Sequence, residues 1–323
     1  MSLLARLADR IINRPLMILP EKLAIAVMAI DGRIGLDARD LAPLANKGGT
    51  DLRIKPKAFD TTGPGIAIVR VLGSLVNRGG FLDAMSGVTS YDTIRRQLNA
   101  AAFDPEITTI LLDIDSPGGE AGGAMELAGI VRLAAQRKPT IAVVNGLCCS
   151  AAFAIASGAT RIVCTPSSLI GSIGVVMLHT DNSARLEKAG IVPTLIYAGA
   201  HKVDGNPLEK LSDQARESIG TEIEKIYAML IECVAFGRRN LSPEAIRATE
   251  AKTYLGADAV AVGLADEIGS FDGIVNKLAK LHPTTMIAGP KREMFSQITQ
   301  ADLDAARRDG ARAMAAEMSR PRA

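Results

Sequence analysis

Between residues 148 and 158 the chain reads CCSAAFAIASG, two thiols and a hydroxyl followed by small and apolar residues and a glycine. Ser150 follows the apolar run PTIAVVNG, with a short turn at Gly146, and opens a helical pattern. A hydroxyl at such a strand-to-helix junction stands where the first amides of the helix have no intrahelical acceptor. It can therefore act as a nucleophile beside donors suited to an oxyanion, or it can simply cap the helix. A second segment, ITTILLDID followed by SPGGEAGG, sends a strand into a turn set by Pro117 and opened by Gly118 and Gly119. Glycines at the end of a parallel strand let backbone amides approach a developing negative charge closely. They also build ordinary tight loops, and without a GxGxxG pattern a dinucleotide site is not supported.

A serine nucleophile needs a base, and three arrangements are open. Lys202 lies in GAHKVDGNP with His201 beside it, and His179 in MLHTD has Asp181 nearby, in imitation of a Ser-His-Asp set. A lysine ammonium ordinarily titrates near ~10.4, so it becomes a base only in a pocket that excludes most water. Spacing alone does not choose among them. The four cysteines, Cys148, Cys149, Cys164 and Cys233, form no CxxC pair, and with three histidines in the chain they make a zinc site improbable. They read as reduced, small core residues of a reducing compartment.

Elements must hold these residues in place. From Gly65 onward, short β-branched runs (GIAIVRVLG, ITTILLDID, PTIAVVNG, TRIVC, SIGVVML, VPTLIYAG) alternate with helical patterns at 90–102, 120–136, 149–157 and 181–189. That alternation predicts an α/β fold with a mainly parallel sheet covered on both faces. A long helix is expected from about Pro207 to 239, then a pair at 242–249 and 256–263. Residues 1–40 read as a helical segment broken at Pro15 and Pro20, 41–64 as a linker rich in Gly, Pro and charge, and 286–323 as a flexible or helical tail.

Composition removes other classes of function. The 323 residues are 48% apolar, enough for a large core. Basic and acidic residues nearly cancel, 37 against 35, and aromatics are only 3%, so both the charge and the stacking surfaces of a nucleic-acid partner are missing. The first 20 residues break their apolar pattern with Arg6, Asp9, Arg10 and Arg14, unlike a secretory signal. The longest small and apolar run, 146–159, is short of the roughly 18–20 residues of a membrane span, so no anchor is expected.

Taken in order, SPGG, CCSAAFAIASGA, GSIGV, GAHKVDGNP and LGADAVAVGLADEIG resemble the serine-lysine peptidases of the signal peptide peptidase A type, from about Gly65 to Leu278. The resemblance implies the Clp protease/crotonase fold, a spiral of repeated β-β-α units with a helical C-terminal part, in a peptidase domain over 65–285. It implies Ser150 as nucleophile, Lys202 as general base and Ser172, from GSIG, as the residue orienting the lysine. Amides of Gly118 or Gly119 and of Ala151 would hold the oxyanion. The stretches NRPLMILPEKLAIAV and AGAHKVDGNPLEKLS are similar to the phage branch, the head maturation proteases. CCSAAF departs from the cellular branch, which tends to have glycines after the serine.

By this resemblance the expected activity is that of a serine endopeptidase cleaving scaffold or capsid proteins, in the bacterial cytoplasm or inside the prohead, without a cofactor and as a homo-oligomer. Other readings are a cytoplasmic signal-peptide or general protein-degrading peptidase, a capsid assembly protein that does not cleave, and an acyl-CoA hydratase of the crotonase group. The last would need catalytic carboxylates where Ser and Lys stand. With so few aromatics, the substrate pockets should accept small or aliphatic side chains.

Overall fold

The computed structural model describes residues 10–30, 59–63, 65–78 and 88–281, all within the first of the chain's two units, Met1–Pro283. The first extended segment is strand β1 (Pro15–Ile18), followed by helix α1 (Pro20–Ile30). Next come β2 (Asp60–Thr61), β3 (Ile66–Leu72), β4 (Ser74–Val76), β5 (Val88–Ser90) and α2 (Tyr91–Phe103). Ser90 caps α2 by accepting the Thr93 amide at 3.2 Å. Then follow β6 (Thr109–Ser116), β7 (Gly118–Glu120), α3 (Ala124–Arg137), β8 (Thr140–Cys149) and α4 (Ala151–Ser157). The remainder is β9 (Arg161–Cys164), β10 (Leu169–Gly171), β11 (Val176–Met177), α5 (Ser183–Lys188), α6 (Asp213–Gly237), α7 (Pro243–Arg247), β12 (Thr253–Leu255), α8 (Gly256–Ala261), β13 (Glu267–Ile268) and α9 (Phe271–Leu281).

Two sheets carry the fold. The larger runs β12-β10-β8-β6-β3-β2, with β9 against β8 and β13 against β9. Its central pairs are parallel and only the edge strands β2 and β12 are antiparallel. Burial on both faces explains the continuous apolar runs: Ile110, Leu111 and Leu112 of β6 are all fully buried, although successive side chains point to opposite sides. On one face pack α2, α3 and the wholly buried α4, and on the other α9 sets Ile274 against Ile66, Leu111, Val143 and Val163. Strand β8 pairs with β9 through Val144 and with β10 from Leu147, so its two halves have different neighbours in the larger sheet.

That smaller sheet, β11-β1-β7-β4-β5, sits where β3 and β6 end. The mixed α/β architecture with mostly parallel strands is that of the Clp protease/crotonase fold.

Several elements differ from expectation. The run 192–199, read as a strand, is irregular and exposed, because no sheet edge is offered to it; strand preference is realised only by pairing and packing. The strand expected over 172–178 shrinks to β11, and the pairing partner of β8 is instead Leu169–Gly171. Within the expected N-terminal helical segment, Pro15–Ile18 is a strand. Proline is tolerated as its first residue, where it need not donate. The long helix begins at Asp213, where Ser212 caps it by accepting the Ala215 amide at 3.1 Å. Most of the expected linker and all of the expected C-terminal tail lie outside the described residues.

Candidate active site

Ser150 joins β8 to α4 with φ 56° and ψ −115°, a region a non-glycine residue enters at a cost of about 1–3 kcal/mol. The surroundings hold it there. Its amide donates to Gly171 O at 2.8 Å, its carbonyl accepts from the Ala154 amide at 3.0 Å, and the residue is 1% exposed. The side chain makes no capping bond to α4; its hydroxyl donates to Gly174 O at 3.2 Å. Ser150 is therefore not the helix-capping serine its position also allowed.

Ser172 leaves the neighbouring parallel strand at the same level, since Gly171 lies opposite Cys149. It too has a positive φ, 51°, is buried, and donates its amide to Lys252 O at 2.9 Å. The two serines thus emerge side by side from β8 and β10.

The glycine turn reaches this place through an irregularity. The register between β6 and β8 shifts after Ile114, so that Ser116 falls opposite Cys148, two residues before Ser150. Such a bulge re-aims the strand end. Gly118 has φ 101°, and a Cβ on it would lie 2.1 Å from Met17 O and 3.0 Å from Cys149 O. A Cβ on Gly119 would lie 1.8 Å from Leu75 O. Only glycine fits at either position. The Gly118 amide donates to Ser116 Oγ at 3.2 Å, and that hydroxyl donates to Gly73 O at 2.7 Å. The Gly118 amide is thus engaged by Ser116, and Gly119 lies in β7 opposite Met17 of β1. The Ala151 amide, first in α4, has no intrahelical acceptor.

Ser116 escaped sequence reasoning although it stands in the SPGG motif. Asn13 escaped as well. It has φ 55°, its amide donates to Leu178 O at 2.9 Å, and its side chain bridges His179 Nδ1 (3.3 Å) and Gly205 O (2.8 Å). No local motif marks it, because its partners are more than 160 residues away.

The bases are placed unequally. Lys202 sits in a turn, its amide donating to Gly199 O at 3.0 Å; its side chain is exposed, and no hydrogen bond or ion pair to its amine is found among the described residues. His179 does not form a pair with Asp181. Its Nδ1 faces Asn13 and its Nε2 is buried without a hydrogen-bond partner among the described residues, while Asp181 accepts the Ser183 amide at 2.8 Å. His201 Nδ1 lies 2.8 Å from Asp204 Oδ2 on the exposed turn. Ser150, Ser172, Gly118, Gly119 and Ala151 are thus gathered at one place, and none of the candidate bases is hydrogen-bonded to Ser150.

The neighbouring thiols are excluded as nucleophiles by their surroundings. Burial pushes the Cys149 thiol up to about 12, with the Glu21 carboxylate adding to it against a bond with the Cys148 backbone. Burial likewise raises Cys148, followed by the nearby Cys149 and Cys164 thiols. A thiol acts as its thiolate, so neither competes with Ser150. Among the described residues no group of His, Cys, Asp and Glu is placed to hold a metal ion, and no helix is long and apolar enough to cross a membrane.

Residues 132–284 match peptidase family S49. The chain is similar to capsid assembly protease C of Escherichia phage lambda, with 37% identity over 285 residues covering 84% of this chain and 64% of that protein. It is similar to the head-tail preconnector protein GP5 of Enterobacteria phage P21, with 41% identity over 67% of this chain and 43% of that protein. It is also 30% identical to the putative signal peptide peptidase SppA of Enterococcus faecium, over 57% of this chain and 54% of that protein. The chain spans less than two thirds of the length of each of these relatives. Ser150 and Ser172 lie within the residues that match peptidase family S49, and the glycine turn follows β6, the neighbour of β8 in the parallel sheet.

Proposed function

We propose that this protein is a serine endopeptidase that uses Ser150 as nucleophile and Lys202 as general base, and that it cleaves scaffold or capsid proteins during phage head maturation. The observation that carries the reading is Ser150 itself: a strained, buried serine at the junction of β8 and α4, next to Cys149, whose carbonyl lies 3.0 Å from the Cβ position of Gly118. The substrate class draws on the phage relatives, one of which is named a capsid assembly protease. Such a reaction takes place in the host cytoplasm or inside the prohead.

In the reaction Ser150 Oγ attacks a peptide carbonyl while the neutral Lys202 amine takes its proton. The oxyanion is held by the amides of Gly119 and Ala151, each worth about 3 kcal/mol in the transition state. The ammonium then protonates the leaving amine, and water hydrolyses the acyl-enzyme in a second, matching step. Ser172, beside Ser150, orients the lysine.

A lysine becomes such a base only where water is withheld from it. Lys202 lies on an exposed arm that also displays Val192 at 84% and Ile196 at 97% of their full surface. Docking of this arm on a second copy would bury both the apolar side chains and the amine, so the site is completed in a homo-oligomer.

The test is cleavage of coexpressed scaffold protein followed by mass spectrometry, with fluorophosphonate labelling of the serine. Ser150→Ala should abolish both, and Lys202→Ala should abolish cleavage by at least about a thousandfold, as expected for loss of a general base. Loss with His179→Ala and not with Lys202→Ala would overturn the assignment. A second reading, an assembly protein that does not cleave, draws on the exposure of Lys202; it predicts no labelling of Ser150 even in the assembled form. A general or signal-peptide peptidase would instead cleave unrelated proteins as readily as the scaffold.

A further inference from the structure

Strand β1 lies between β7 and β11 and runs antiparallel to both. Leu16, Met17 and Ile18 stand opposite Glu120, Gly119 and Gly118, while Pro15 and Leu16 stand opposite Met177 and Val176. The Leu19 amide donates to Pro117 O at 3.0 Å and the Ala121 amide to Pro15 O at 3.3 Å. Antiparallel pairs alternate between bonded and non-bonded, so Met17 and Gly119, midway between those two bonds, form a bonded pair. The Met17 carbonyl is thereby presented to the Gly119 amide. Its oxygen also lies 2.1 Å from the Cβ position of Gly118, a point 3.0 Å from the carbonyl of Cys149, the residue before Ser150.

An extended peptide laid along a free strand edge, with one carbonyl on the oxyanion donor next to the nucleophile, is the arrangement β-augmentation offers a substrate. We infer that the cleft between β7 and β11 is the peptide-binding cleft, and that Pro15–Ile18 is its resident occupant, which withdraws when substrate enters. This rests on the peptidase reading above. The cleft takes an extended apolar peptide: Leu16 and Met17 are buried in it, and a substrate places the residue whose carbonyl is attacked where Met17 now stands. The occupant is tethered from outside the cleft. Arg10 donates to Glu120 Oε1 at 3.1 Å and to Arg78 O at 2.7 Å, and Asn13 holds His179 and Gly205. Because occupation leaves only a fraction of molecules competent, apparent affinity for substrate falls by that fraction.

The reversible test locks the strand in place. In the full chain, Leu16→Cys with Val176→Cys introduces thiols at residues that face each other across β1 and β11. Oxidation should reduce both peptide cleavage and binding of a labelled decapeptide of sequence NRPLMILPEK at least tenfold, and reduction should restore them. Binding is measured by fluorescence anisotropy on the same chain carrying Ser150→Ala. Conversely, Asn13→Gly, which tolerates the positive φ, combined with Arg10→Ala should tighten decapeptide binding at least threefold. Undiminished binding and cleavage in the oxidised chain would overturn the inference. Decapeptide binding that follows the lock, in a chain whose Ser150 never cleaves, would instead leave the occupant in place and remove the peptidase reading.

Discussion

Ser150 holds a backbone geometry that glycine would hold with less strain, and its hydroxyl contributes one long hydrogen bond, to Gly174 O at 3.2 Å. Ser150→Gly should therefore raise stability by about 1 kcal/mol while removing cleavage, whereas Ser150→Ala should remove cleavage without that gain. Urea unfolding of the two variants checks this. A different economy governs Arg238, which is 6% exposed and grips Asp266 through two bonds of 2.8 Å. Burial pushes the Asp266 carboxyl up, but the Arg238 hydrogen bonds, the Ile162 amide and the charges of Arg238 and Arg161 outweigh it and hold the group below its ordinary value. A depressed carboxyl contributes stability that is complete above about pH 4 and disappears as the pH falls through the folded-state value. Asp266→Asn should cost about 2–4 kcal/mol at pH 7, since it leaves Arg238 buried without its counter-charge, and should flatten the acid limb of the stability profile. The placement of Ser150 between a strand and a helix was legible in the sequence because small residues after a β-branched run mark such a junction. Ser116 and Asn13 were not, because their partners are distant in the chain.

At the scale of elements, the site depends on how closely β7 can lie between β1 and β4. Gly119→Ala would drive a methyl group into Leu75 O, 1.8 Å from the ideal Cβ, so β4 and β7 must part. The expected loss is about 2–3 kcal/mol together with cleavage, read by thermal unfolding and by hydrogen exchange at β4. The parallel core was legible because β3, β6, β8 and β9 are buried on both faces and so read as unbroken apolar runs. The small sheet was not. Its strands have two to four residues, too few for a period to show, and β1 was hidden behind prolines that equally suit a break between helices. The opposite error arose at 192–199, where β-branched and aromatic residues simulate a strand yet face outward. Both misreadings have one cause: a strand is defined by the edge it pairs with, and that edge is not written locally.

For the whole molecule, that outward face carries an argument of its own. Ile191, Val192, Ile196 and Tyr197 are each more than half exposed within seven residues, on the arm that ends in Lys202. Large apolar side chains clustered in this way mark a surface that meets another protein. The Lys202 amine has no partner among the described residues and would need a dry site to act as a base. On the reading proposed above, docking of the arm on a second copy would meet both requirements, so assembly and activity should be lost together. Val192→Asp with Ile196→Asp should lower the mass seen by sedimentation and cut cleavage at least a hundredfold, with an unchanged circular dichroism spectrum. Lys202→Ala should keep the assembled mass and lose cleavage alone. The two variants separate the arm's docking from its chemistry, and a fully active monomer of the first would show that the lysine reaches Ser150 within one chain.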